Sequence, residues 1–183
     1  MALWGISANV DEAKPKWLTD EQKKNVYATD RGWVQLNGKG LEEVIVAIGG
    51  LAGGTSATVG LGAATADYVN FVNASYSAGG GGNLDVLVTF NERVTIDTSG
   101  GTPTINITNV TQGNAVIAAS YLSTSRNRVT FRVTNPTPVA EDDVLTVLGQ
   151  PIALNGGTIK DFGTTLDSVL DIPEVASTLT VAT

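Results

Sequence analysis

A two-residue rhythm constrains this chain more than any other feature. Val129, Phe131 and Val133 alternate with Arg128, Thr130 and Arg132. Leu84, Val86, Val88 and Phe90 alternate with Asp85, Leu87 and Thr89, and Ile105 and Ile107 alternate with Thr104, Asn106 and Thr108. Successive side chains of an extended strand point to opposite faces, so each run presents an apolar face to a core. Further candidate strands cover Tyr68–Ala74, Ala115–Tyr121, Val144–Leu148, Ile152–Lys160 and Ser177–Val181. Turn formers separate them: Gly79-Gly80-Gly81-Gly82-Asn83, Ser99-Gly100-Gly101, Gln112-Gly113-Asn114 and Asn135-Pro136-Thr137-Pro138. The spacing predicts an all-β fold, a β-sandwich over residues 67–183.

The first 50 residues differ. All three tryptophans, Trp4, Trp17 and Trp33, lie there. Thr19-Asp20-Glu21-Gln22 reads as a capping box that opens a helix of one or two turns, too short to persist undocked. Trp33–Leu36 and Glu43–Ile48 flank Asn37-Gly38-Lys39-Gly40, a hairpin signal because Asn and Gly tolerate positive φ. Residues 1–50 are expected to form a docking arm, and the Gly/Ala-rich stretch 51–66 a linker or a close-packed glycine turn. In the docking reading Trp4, Trp17, Leu18, Tyr27, Trp33, Val44 and Val46 anchor the arm in another subunit, since large aromatics are enriched at interface centres. In the competing reading the tryptophans fold back and complete the chain's own core.

Composition removes several functions. Histidine and cysteine are both absent, so no Ser-His-Asp or Cys-His arrangement and no thiolate metal site can form within this chain. The formal charge is −7, of which residues 1–50 carry −1 and residues 51–183 carry −6, which argues against direct nucleic-acid binding through phosphates. No basic and apolar leader pattern opens the chain, and no apolar run reaches the ~18–20 residues of a membrane helix, so a soluble protein made in the cytoplasm is expected. Glu141-Asp142-Asp143, with Glu92 or Asp161, could offer oxygen ligands to calcium if they converged. Without EF-hand spacing they are expected to be solvated turn carboxylates. No cofactor, no metal site and no catalytic activity are expected.

Two stretches resemble known families. Tyr76-Ser77-Ala78-Gly79, then Val86-Leu87-Val88-Thr89-Phe90-Asn91-Glu92-Arg93-Val94, then Gly101-Thr102-Pro103-Thr104-Ile105 and Leu154-Asn155-Gly156-Gly157-Thr158-Ile159-Lys160-Asp161 resemble the bacterial Ig-like repeats of large surface proteins. Those repeats read Y-x-x-G, V-x-F-x-E-x-V and G-T-P-x-L, and close on L-N-G-G-T-I-x-D. The likeness spans roughly residues 67–165; Ser99 and Gly100 lengthen one loop, and residues 166–183 run past the closing motif. It implies an Ig-like sandwich, of about seven short strands in such folds.

Met1-Ala2-Leu3-Trp4-Gly5, Lys14-Pro15-Lys16-Trp17-Leu18-Thr19 and Tyr27-Ala28-Thr29-Asp30-Arg31-Gly32-Trp33-Val34 resemble the N-termini of small virion proteins of tailed phages, especially marine and cyanobacterial ones. That resemblance implies a virion protein, a capsid decoration or cement protein, fixed to the major capsid protein or neighbouring virion subunits and present in several copies. The alternative is a fibre or adhesion module that binds host carbohydrate through the sandwich.

Overall fold

The computed structural model describes residues 14–54, 60–72, 82–172 and 177–182. Trp4, the Met1–Gly5 and Tyr76–Gly79 motifs, and parts of the glycine-rich runs at 51–66 and 79–82 lie outside the described residues. The described chain is nearly all-β, in a sandwich-like arrangement close to a barrel.

Among the described residues one helical turn, α1 (Asp20–Lys23), precedes twelve strands. Thr19 caps it: the Gln22 N–H donates to Thr19 Oγ1 at 3.3 Å, and the Thr19 N–H donates to Gln22 Oε1 at 2.9 Å. Strands β1 (Val26–Thr29), β2 (Gly32–Leu36) and β3 (Glu42–Ala47) then form an antiparallel sheet in that order. The turn between β2 and β3 is set by Asn37, whose Oδ1 accepts the Lys39 and Leu41 N–H groups at 3.0 Å each, and by Gly40 at φ +74°.

The main sheet has seven strands in the order β12-β10-β7-β8-β9-β5-β4, with β4 (Ala66–Phe71), β5 (Asn83–Phe90), β7 (Thr104–Asn109), β8 (Ala115–Ser125), β9 (Arg128–Thr134), β10 (Val144–Val147) and β12 (Ser177–Thr180). The remaining pair, β6 (Val94–Asp97) and β11 (Thr158–Asp161), forms a two-stranded sheet. The seven-stranded sheet curls until its outermost strands approach, where the Phe71 N–H donates to Ser177 Oγ at 3.1 Å.

The alternating residues are the core. Leu84, Val86, Val88, Phe90, Ile105, Ile107, Val129 and Phe131 are buried in one cluster with Leu145, Val147 and Ile159. Each such side chain contributes about 1.5–3 kcal/mol of burial free energy before entropy is charged against it. The expected strand from Ile152 to Lys160 is broken: Asn155 at φ +52° and Gly156 at φ +96° turn the backbone, and a regular strand begins at Thr158.

That turn also accounts for the glycines of two of the quoted motifs. The 99–101 loop and the 155–157 turn touch backbone to backbone. A Cβ on Gly101 would stand 1.8 Å from the Asn155 carbonyl oxygen, and one on Gly156 would stand 2.5 Å from that of Gly100. Gly101→Ala is therefore expected to lower unfolding stability by about 1–3 kcal/mol. Gly38→Ala, where a Cβ meets nothing within 4 Å, is expected to be near neutral. Equal urea midpoints for the two variants would remove this explanation of the motif.

Candidate functional site

The N-terminal sheet is not an independent arm. A second small core joins Val26, Ala28, Trp33 and Leu51, with Leu18, Val46 and Leu61 packed against it. Leu51 is buried, the Ala52 N–H donates to the Thr29 carbonyl at 3.2 Å, and the Leu61 N–H donates to the Leu51 carbonyl at 3.1 Å. Ala64 and Ala66 belong to the sandwich core. The described parts of 51–66 thus pack against the two cores. Removing residues 1–50 would strip one wall of this core, so the body would not remain as it stands.

Several side-chain contacts hold the N-terminal segment and its sheet to the sandwich. Lys14, fully buried, pairs with Asp67 of β4, donates to the Lys23 carbonyl at 2.8 Å, and lies 4.8 Å from the centre of the Tyr68 ring. Arg128 of β9 donates to Asn25 Oδ1 at 2.8 Å. Glu42, the first residue of β3, gathers Arg31 at 2.9 Å, Arg126 at 3.4 Å and Arg93, and accepts the Tyr27 hydroxyl at 2.6 Å. Burial would raise the Glu42 pKa, but the Tyr27 and Arg93 hydrogen bonds and the charges of Arg93 and Arg126 outweigh it and hold the carboxyl below its ordinary value. Burial and the neighbouring Glu42 carboxylate push Tyr27 up to about 12, so it stays a donor across the physiological range.

Beside this hub runs an open groove of about 600 Å³. Arg93, Arg126, Tyr121, Thr124, Ser125 and Phe162 are among its lining, and Phe162 is 62% exposed at its rim. Behind it, where β1 touches the sandwich through an Ala28–Glu92 bridge, Glu92 and Asp161 are both buried. Asp161 Oδ1 accepts the Gly163 and Thr164 N–H groups at 2.7 and 3.0 Å, whereas Asp161 Oδ2 and both Glu92 oxygens have no donor. Burial first, and then the facing Asp161 carboxyl, pushes Glu92 up to about 9. Glu92 is therefore protonated at neutral pH.

The predicted anchors separate into three groups. Tyr27 and Trp33, both expected as anchors for another subunit, are buried in the chain's own structure. Leu18 and Val46 line the small core with Trp33. Trp17 and Val44 remain 56% and 39% exposed, and Trp4 is outside the described residues.

The acidic run behaves differently from Glu92 and Asp161. Asp143 Oδ2 accepts Asn109 Nδ2 at 2.8 Å and the Ala140 N–H at 2.7 Å, and Oδ1 accepts Gln112 Nε2 at 3.1 Å. These bonds, the Asn109 one foremost, hold its carboxyl below the usual range. Glu141 and Asp142 are exposed, and no three potential metal ligands converge among the described residues. Calling all of these acids solvated turn residues missed Asp143, Glu92 and Asp161. The Glu92–Asp161 pairing had no sequence signal beyond the E of one quoted motif and the D of another.

No helix among the described residues is long and apolar enough to cross a membrane. No protein-family model matches the chain, and neither does any curated protein or solved structure.

Proposed function

We propose that this protein is a structural component of a tailed-phage virion, a decoration protein that sits on the head with its Ig-like sandwich outward. The observation that carries the reading is Trp17. It stays 56% exposed although its segment is pinned on one side by buried Lys14 and on the other by the Thr19 cap. A tryptophan presented on a fixed backbone loses little further conformational freedom on binding, and such residues dominate interface energies. The phage-like motifs Lys14–Thr19 and Tyr27–Val34 fall on this same unit. The attachment surface is then the outer face of a folded N-terminal sheet, with Val44 contributing. Repeated weak contacts of several copies on a symmetric shell add up to firm attachment.

Capsids assembled from the major capsid protein of the same genome, mixed with the purified chain and spun through a sucrose gradient, test this. The chain is expected to co-sediment at saturable stoichiometry. Trp17→Ala is expected to cut occupancy about tenfold or more, the scale of an interface hot spot, at a temperature where circular dichroism shows the variant fully folded. A parent protein that stays at the top of the gradient at every concentration tried would end the proposal.

A further inference from the structure

We infer that the groove beside Glu42 is a binding site for an anionic saccharide, one that carries a carboxylate or sulfate group. Three of the five arginines in the chain, Arg31, Arg93 and Arg126, converge on one carboxylate. Arg93 and Arg126 line the groove with Glu42 while Arg31 does not, so the charged lining carries two guanidinium groups against one carboxylate on a protein of net charge −7. Composition does not predict such a concentration.

The local geometry points the same way. Arg126 sits in the tight turn between β8 and β9 at φ +58°, a left-handed conformation uncommon for a side chain of its kind. Strain of this sort persists where the surroundings demand a particular direction, and here the turn delivers the guanidinium to the hub. Arg93 Nη2 holds Glu42, and Arg126 reaches Glu42 through Nε and donates to the Gly40 carbonyl through Nη2 at 3.2 Å. What the pair offers an anion is fixed positive charge and their remaining outward N–H donors, which suit carboxylate and sulfate alike.

The other lining residues select a sugar over a bare anion. Phe162 offers a ring 62% exposed at the rim, and Tyr121 lies deeper with its hydroxyl accepting from Thr124 Oγ1 at 3.0 Å. An aromatic face receives the C–H face of a pyranose, while the Thr124 and Ser125 hydroxyls can exchange hydrogen bonds with ring hydroxyls. The volume of about 600 Å³ lies within the roughly 300–1,000 Å³ of small-ligand sites. The inference does not depend on the virion reading, since the groove is formed by the folded chain alone.

Isothermal titration of the intact chain with tetragalacturonate and with a sulfated chondroitin disaccharide tests it, with maltotetraose and free sulfate as comparators. Binding of at least one charged saccharide at roughly millimolar affinity or better is expected, weakened about tenfold in both Arg126→Gln and Phe162→Ala. Unfolding midpoints of the two variants close to that of the parent will show that the loss is local. The inference is overturned if neither charged saccharide binds, if maltotetraose binds as well as they do, if free sulfate accounts for all the affinity, or if neither variant changes it.

Discussion

At pH 9 the Glu92→Gln protein is expected to withstand more urea than the parent, and at pH 4 to withstand about the same. In the folded chain Glu92 titrates near 9 rather than at the ordinary 4.5, because burial and the facing Asp161 both disfavour its charge. The folded state therefore holds a proton that the unfolded state releases between those two values. Stability from this group is complete below pH 4.5 and declines as pH rises toward 9, by roughly 1.4 kcal/mol per pH unit. By pH 7 the loss is on the order of 3 kcal/mol, and by pH 9 on the order of 6 kcal/mol. Glutamine has the same shape, never ionises, and can donate an amide N–H toward the unpartnered Asp161 Oδ2. The gap between variant and parent midpoints should thus open steadily from pH 5 to pH 9. Parallel curves across that range would mean that Glu92 is charged in the fold or equally exposed in both states.

Lys14→Ala is expected to cost about 3–5 kcal/mol, the penalty for leaving a buried charge without its counter-ion. Asp67 is nearly inaccessible, and Lys14 also holds the end of α1 through the Lys23 carbonyl. The double variant Lys14→Met, Asp67→Leu removes both charges and keeps comparable volume, so it should recover most of the loss. A single variant that matches the parent would show that the N-terminal segment is not secured here. A double variant no better than the single one would assign the cost to lost packing instead.

Local chemistry made part of this structure legible in advance. The Thr19 capping box and the Asn37–Gly40 hairpin are decided by residues within four positions of each other, and both formed where their spacing placed them. The alternation of β5, β7 and β9 is legible for the same reason, because one face of each strand is wet and the other dry. Strand β1 gave no such signal: Val26, Tyr27, Ala28 and Thr29 are all buried, so neither face had to be polar. The packing of Leu51 and Leu61 was hidden because their glycine- and alanine-rich surroundings suit a free linker and a tight turn equally, and what separates them is the distant Trp33 core. The hub was hidden most fully. Glu42, Arg93 and Arg126 lie on three separate elements, and nothing in the neighbourhood of any one of them specifies the other two.

The curl of the main sheet bears on how densely this protein can be concentrated. An open sheet ends in two rows of unpaired backbone donors and acceptors, each a template for a foreign strand. Here the two outermost strands, β4 and β12, come together where the Phe71 N–H donates to Ser177 Oγ, so part of one row already has a partner within the chain. In the small sheet β3 is an outer strand, and it opens with two glutamates, of which Glu43 is exposed. Glu42 is taken up by Arg31, Arg93 and Arg126, so Glu43 is the exposed charge that marks the start of this strand. An exposed charge on one outer strand and the meeting of the main sheet's end strands both oppose pairing of one copy's edge with another's.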